Sequence, residues 1–269
     1  MSNGSKFQDF FSSHAGNFSN HIDTSIPAYR HTIVAMMQTI ADDIENSNER
    51  KVIIDIGGSD ADKGKILAQM TDKDFLYICV DPNPEMYNNF IIENTDSRLL
   101  YVNECFGPFT YGSYIGWYPN PSERPDYVIS SMIWQFLDSN RLEHYKAAWA
   151  VSKDETVFIT FEKFLHTSKV IWQLNEDAKN TYKLQFFSQE ELDDKAETVL
   201  VGMTENMITI GEAYKHLHSL YENVTDIHNS GNFIPVIAGD KNNAIDFSVN
   251  FYNHLVDNGG LEILHSIYK

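Results

Sequence analysis

Two hydrophobic periods trade places along this chain. Over residues 26–44 apolar side chains fall at Ile33, Met36, Met37, Ile40 and Ile44, the spacing of one helical face, and Pro27 follows Asp23, Thr24 and Ser25 at a helix-start position. After a polar break at 46–49, residues 51–58 form an almost unbroken apolar run that ends in Gly57-Gly58, the pattern of a buried strand closing in a turn. A helical stretch at 63–71 leads into a second run, 75–81, which ends on Asp81. The alternation continues with a helix at 85–94, strands at 99–102 and 127–131, a helix at 140–151 and a strand at 156–161. Two late strands, 223–227 and 232–238, flank His228-Asn229-Ser230-Gly231, which predicts a hairpin. Strands alternating with helices predict an α/β fold with a mostly parallel sheet covered on both faces and a terminal antiparallel hairpin.

These elements lay out as one domain over 1–269: an N-terminal helical cap (1–50), a core (51–164), a helical insertion (165–218), the hairpin (219–240) and a helical tail (241–269). The insertion is placed to cover a ligand or to mediate dimerisation, the tail to dock on its own body or on a partner chain, and a homodimer is the expected assembly.

Charge narrows the function. The chain has 269 residues with 20 Lys plus Arg against 38 Asp plus Glu, a formal charge of −18, and 42% hydrophobic residues suffice for a substantial core. No basic cluster is available to neutralise a phosphate backbone, which disfavours a nucleic-acid partner and leaves tRNA open. The first residues lack the basic flank and apolar core of a secretory signal, and no apolar run approaches ~20 residues, so a cytoplasmic protein with no membrane contact is expected. Cys79 and Cys105 have neither zinc-ligand nor disulfide-framework spacing and read as free thiols. His216 and His218 lie two apart, on diverging helix faces, so no metal site is read there.

The chemistry falls at the first two strand ends. Open α/β sheets bind ligands beyond the carboxyl ends of their strands, and the first turn needs glycines so that backbone approaches ligand closely. Asp55-Ile56-Gly57-Gly58-Ser59-Asp60-Ala61 supplies that turn, and Asp81, ending the second strand, stands where an acid holds a ribose diol.

These segments resemble the class I S-adenosylmethionine-dependent methyltransferases, and within them the carboxy-S-adenosylmethionine synthase family of tRNA wobble-uridine modification. The likeness is carried by Ser25-Ile26-Pro27-Ala28-Tyr29, the 55–61 turn, Val80-Asp81-Pro82-Asn83-Pro84-Glu85-Met86, Trp134-Gln135-Phe136-Leu137 and Phe161-Glu162-Lys163-Phe164, with a fainter echo at 187–192. It implies a Rossmann-like methyltransferase fold and S-adenosylmethionine as cofactor. Gly57, Gly58 and Ser59 would line the methionine part, with Asp55 at the head of the turn. Asp81 would hold the ribose hydroxyls, Pro82 would lie near the adenine, and Asn103 and Glu104 would contact the adenine amino group. Tyr29 and Ser131 fall at ligand-contact positions too. Each has a structural alternative: Asp81 as cap of the next helix, Tyr29 as packing, Ser131 as partner for backbone groups at a strand end.

Two departures bear on the reaction. The third glycine of the usual loop is Ala61, preceded by Asp60, which reads as a cap of the following helix or as a carboxylate facing the cofactor's own. Where the synthase family has an arginine that grips the extra carboxylate of its product, this chain has Ala196, with Lys195 one place earlier. The fourth strand ends Ser130-Ser131-Met132-Ile133-Trp134, without the Asn or Asp, paired prolines and aromatic of amino-methylating DNA enzymes. Residues 106–119, rich in aromatics and glycine, read as a lid or as a loop packed by its own rings. His166 is the weak candidate for a general base, its alternative being a structural role. The expected function is methyl transfer to a small molecule or protein side chain, with a carboxy-cofactor synthase and a non-catalytic assembly protein on the same fold as alternatives.

Overall fold

The computed structural model describes residues 12, 18–108, 110–117, 123–197 and 201–268. Helix α1 (Phe18–Ser25) turns into α2 (Tyr29–Asn46), which the sequence pattern started at 26. The difference lies at Ala28, whose left-handed φ of 57° breaks the helical path, so Pro27 sits in the connecting turn. Then follow β1 (Lys51–Ile56), α3 (Asp62–Met70), β2 (Phe75–Val80), α4 (Pro84–Glu93), β3 (Leu99–Val102), α5 (Tyr111–Trp117) and β4 (Tyr127–Ser131). A 3-10 turn, Trp134–Phe136, leads to α6 (Arg141–Val151) and β5 (Val157–Lys163). The insertion holds α7 (Lys169–Lys183), α8 (Gln189–Lys195), α9 (Val201–Glu205) and α10 (Ile210–His218). Strands β6 (Asn223–Asp226) and β7 (Phe233–Gly239) form the hairpin, and α11 (Asn242–Asp257) and α12 (Gly260–Ile267) the tail.

One seven-stranded sheet runs in the order β3-β2-β1-β4-β5-β7-β6. The five strands from β1 to β5 are parallel, with Ile53 opposite Tyr77 and Tyr127, and β7 lies antiparallel to β5, with Phe161 opposite Pro235. Side chains alternate between two apolar layers. Ile53, Tyr77, Ile129, Ile159 and Ile237 face α2, α3 and α11, whereas Ile54, Ile78, Val128, Phe158 and Val236 face α6 and α10. Burial on both sides is why these strands read as continuous apolar runs.

The tail docks on its own body. Ala244, Phe247, Phe251 and Leu255 of α11 join the layer built by α2, and His254 meets Asp42 at 2.8 Å. The opposite face of α11, with Ile245, Val249, Tyr252 and Val256, is exposed. The aromatic segment after β3 packs by its own rings: Phe106 and Tyr114 are buried with centroids 5.0 Å apart.

A buried ion pair ties the insertion to the core. Arg141 and Glu162, both wholly buried, approach to 3.1 Å; Arg141 donates to the carbonyls of Trp134 and Asn206, and Glu162 accepts from Tyr145 and Thr160. The Asn206 contact fixes the far end of the insertion over the carboxyl edge of the sheet.

Because Phe251 is 0% exposed, the tail belongs to the core. Phe251→Ala is expected to lower stability by about 3–5 kcal/mol in chemical denaturation, the usual cost of emptying a buried phenyl site; a loss below ~1 kcal/mol would mean that the tail is not docked.

Candidate active site

The carboxyl ends of β1, β2, β4 and β5 open onto a cavity of about 390 Å³. It straddles the point between β1 and β4 where strand order reverses, the usual ligand position in open α/β sheets. Its floor comes from the strand ends, and its roof from α1 and the insertion, through Phe18, Ile22, Lys183, Lys195 and Met203.

The turn after β1 takes left-handed backbone at Gly57 (φ 67°), Ser59 (φ 55°) and Ala61 (φ 58°). Only the first is a glycine, so the chain keeps the shape of a glycine turn at two positions where a side chain makes that conformation costly, about 1–3 kcal/mol each. Close packing explains the glycines that remain. A Cβ on Gly57 would lie 2.6 Å from the Ile133 side chain, and one on Gly58 2.6 Å from Cys79 Sγ and 2.7 Å from Asp55 Oδ2. Left-handed φ recurs at Met132 after β4 (57°), and Ala28 carries it just before Tyr29, so all four non-glycine cases among the described residues lie in turns bordering the cavity.

Asp55 and Lys63 anchor this turn. The Asp55 carboxylate is fully buried, 3.0 Å from Lys63 Nζ, and accepts the Tyr77 hydroxyl. Burial raises the Asp55 pKa, against Lys63 and the Tyr77 hydroxyl; burial is the largest influence on Lys63 and lowers its pKa, but the charge and hydrogen bond of Asp55 together with Tyr29 and Cys79 outweigh it and leave the ammonium above its ordinary value. Asp60 is not the helix cap that the sequence suggested. That position belongs to Ala61, and the Asp60 carboxylate accepts from the Ser19 hydroxyl at 2.6 Å and from the Asp62 N–H at 3.3 Å, outside the cavity lining.

Asp81 lies at the cavity wall. Its Oδ2 accepts the Ser59 N–H at 3.0 Å and its Oδ1 the Asn83 N–H at 2.9 Å. It does not cap α4: Asn83 does, accepting from the Glu85 and Met86 N–H groups. Burial raises the pKa of Asp81, against the two backbone donors. Pro82, Asn83 and Met86 continue the same wall. Tyr29 and Ser131 also border the cavity, joined at 3.2 Å, and the Tyr29 ring stacks on Phe161 at 5.7 Å.

Of the positions read from sequence, the structure therefore brings together Tyr29, Gly57, Ser59, Asp81, Pro82 and Ser131, with Asp55 and Gly58 directly behind. Asn103 and Glu104 are exposed outside the cavity, Asn103 donating to the Asp81 carbonyl at 3.0 Å. His166 is exposed, accepts the Ser168 N–H at 3.0 Å and lies outside the lining, in a turn-forming role rather than that of a general base. Of residues 106–119 none described lines the cavity, and the segment, which carries α5, packs through Phe106 and Tyr114; 109 and 118–119 lie outside the described residues.

The sequence reading missed a group of lysines. Five of the chain's 20 Lys and Arg line the cavity: Lys63, Lys163, Lys179, Lys183 and Lys195, while Asp81 is the one carboxylate among the lining residues described. Glu176 accepts from Lys163 at 2.8 Å, from Lys179 and from Asn232 at 2.8 Å; Lys195 Nζ lies 2.7 Å from His21 Nε2. Burial, reinforced by neighbouring ammoniums, brings Lys163 down to about 7, Lys183 to about 6 and Lys195 to about 8. Glu176 is held at about 2 against burial by Lys163 and Lys179. The signal was available in α7: Glu176, Lys179 and Lys183 share one face, and the other carries Val170, Ile171 and Leu174, an amphipathic helix with its polarity reversed.

The strand order, the flanking helices and the closing hairpin define the Rossmann-like class I methyltransferase fold. Solved structures agree on the architecture. The plantazolicin methyltransferase BamL, in complex with a triazolic desmethylPZN analog and SAH, superposes with a TM-score of 0.60 at 12% identity, over 96% of this chain and 90% of its own. The plantazolicin methyltransferase BpumL in complex with SAH gives 0.59 at 9% identity over 88% and 96%. A possible exported protein from Bordetella parapertussis gives 0.53 at 13% identity over 74% and 65%. No family model and no curated protein matches the sequence. Among the described residues no group of three His, Cys, Asp or Glu is placed to hold a metal, and no helix is long and apolar enough to cross a membrane.

Lys63→Met should destabilise the protein by about 3–5 kcal/mol in urea denaturation, because it strands a wholly buried Asp55. Lys63→Met/Asp55→Leu should recover much of that loss. A single mutant as stable as wild type would contradict a charged pair at this site.

Proposed function

We propose that this chain is an S-adenosylmethionine-dependent methyltransferase acting on a small molecule or protein side chain. The observation that carries the reading is Asp81: a half-buried carboxylate just after β2, oriented by two backbone N–H groups and bordering the cavity beside a left-handed turn. An acid so held still has lone pairs for two vicinal hydroxyls, which suits a ribose. The residues around it fit the remainder of the cofactor. Pro82, Met86 and Ile133 offer apolar surface to a flat adenine, and the backbone at Gly57 and Ser59 opens toward the amino-acid portion, with the Lys63 ammonium close by. The neighbours of like fold that were solved with SAH support the choice of cofactor.

When bound, the cofactor would supply a methyl group on a sulfonium, ready for transfer to a nucleophilic atom of the acceptor with the neutral thioether as leaving group. This chain's residues hold and orient the two reactants and exclude water. Tyr29, stacked on Phe161 and tied to Ser131, forms a rigid wall between the β1 and β5 ends. Phe18, Ile22 and Met203 close the roof.

A second reading, a transferase producing a carboxylated cofactor, is favoured by Lys195, which borders the cavity one position before exposed Ala196. It stands second because a single ammonium shared with His21 and Ser25 is less directional than a guanidinium fork. The non-catalytic reading is weakened by Ser59 and Ala61, which keep the glycine-turn backbone, and by Asp60, which is turned to Ser19.

Calorimetric titration tests the main reading. Wild type should bind S-adenosylmethionine, and Asp81→Ala should weaken it about tenfold to a hundredfold, the cost of charged hydrogen bonds at roughly 1.5–3 kcal/mol. Asp60→Ala should leave the affinity within about twofold, since that carboxylate lies off the cavity. No heat and no thermal shift at millimolar cofactor would contradict the methyltransferase and synthase readings together.

A further inference from the structure

We propose that the β5 end of the cavity is an anion-binding subsite, in which Lys163, Lys179, Lys183 and Lys195 receive a carboxylate or phosphate group carried by the methyl acceptor. The inference rests on the methyltransferase reading and names the class of substrate which that site would take.

Three observations carry it. The first is position. Lys163 ends β5, Asp81 follows β2, and the strand order puts three inter-strand spacings between them, about 14 Å. One cavity therefore has a carboxylate-bearing end at β2 and a lysine-bearing end at β5, with the β1–β4 switch point between them.

The second observation is charge. Lys163, Lys179 and Lys183 gather around one carboxylate, Glu176, whose oxygens are already engaged by Lys163, Lys179 and Asn232, and Lys195 stands beyond them beside His21 and Ser25. Lys183 is 4% exposed and lines the cavity, yet its ammonium meets no hydrogen-bond acceptor among the described residues. An ammonium in such a place destabilises the fold unless a ligand compensates it. In a chain of net charge −18 this is a local concentration of positive charge with an open position for an anion.

The third is the construction of the walls. Lys163 Nζ lies 4.8 Å from the Trp172 ring centre and 5.7 Å from that of Phe233, and Phe136, Leu137 and Met203 border the same space. These surfaces suit an organic body attached to the anionic group better than a free inorganic ion.

The groups facing Lys183 set the pH dependence: Lys163 from β5, Glu176 and Lys179 from its own helix, and Lys195 from α8, with His21 of α1 on Lys195 and Tyr268 beyond α12 toward Glu176. Lys183 and Lys163, at about 6 and 7, are largely or partly neutral at pH 7.5. A bound anion raises both, so binding takes up protons and strengthens as pH falls.

The test is calorimetry on the full chain saturated with SAH, titrated with malonate and, separately, with inorganic phosphate at pH 6.5 and 8.5. At least one probe should bind, more tightly at pH 6.5 and with proton uptake in buffers of different ionisation enthalpy, and the tighter probe identifies carboxylate or phosphate as the preferred group. Malonate stays a dianion over this range and gives the cleaner pH comparison. Lys183→Met should weaken binding about tenfold to a hundredfold. Lys183→Arg should retain it within about threefold, and Lys146→Met, on an exposed lysine outside the cavity, should leave it unchanged. Lys183→Met should also melt higher than wild type without anion, because it replaces a buried amine that has no acceptor among the described residues by an apolar side chain. Equal anion affinity in wild type and Lys183→Met, or anion binding abolished by SAH, would overturn the proposal; the latter would assign the lysines to the cofactor's own carboxylate. If SAH fails to bind while the anions still do, the methyltransferase reading falls and the anion subsite stands.

Discussion

The buried contact between Asp55 and Lys63 is the constraint from which the rest of the site follows. It joins the end of β1 to the first turn of α3 and, through Tyr77, to β2, so the chain between Asp55 and Lys63 must return over a short distance. Within that closure the backbone is left-handed at residues 57, 59 and 61, and no room is left for a side chain at Gly58, where a Cβ would strike the Asp55 carboxylate. It also brings the Ser59 N–H to Asp81, so the acid on β2 is oriented by a turn that the acid on β1 shapes. Carboxylate, turn and ligand wall form one unit.

Against this compact end, the opposite end of the cavity is built at a cost. Helix α7 places Lys179 and Lys183 inward and Val170 and Leu174 outward, the reverse of what burial of apolar surface favours. Folding alone does not select that arrangement, because each inward ammonium loses hydration and repels the others. The rest of the insertion is held without the lysines, by the Arg141–Glu162 pair reaching Asn206 and by the capping boxes Ser188–Glu191 and Thr209–Glu212 of α8 and α10. The scaffold carries the strain and the cavity holds the charge, a division expected where a site is designed for a ligand rather than for stability.

Much of the fold was legible because each core strand is buried on both faces and each flanking helix on one. The strands 99–102 and 127–131 emerge with the boundaries read from sequence, and others move by one or two residues at their ends. What escaped was local backbone and reversed patterning. Ala28 breaks the first long helix with a φ that an alanine rarely adopts, and no residue type announces it. Tyr111–Trp117 folds into a helix inside a glycine-rich segment because Phe106 and Tyr114 pack together. Asp81 was recognisable from its place after a strand, whereas Asn103 and Glu104, placed by the same logic, lie outside the cavity. The two-faced pattern of α7 was readable, but Lys179 and Lys183 were passed over because a lysine on an amphipathic helix normally marks the solvent side, and tertiary packing shows that here it marks the interior.

In the proposed arrangement one cavity is divided between a cofactor end at β2 and an acceptor end at β5. A crystal structure of the full chain grown with SAH tests it most directly. The expected result is the ribose hydroxyls on the Asp81 carboxylate, the amino-acid portion over the Gly57–Ser59 turn, and open space left beside Lys163 and Lys183. SAH bound elsewhere, or spread across the lysines with Asp81 untouched, would contradict it.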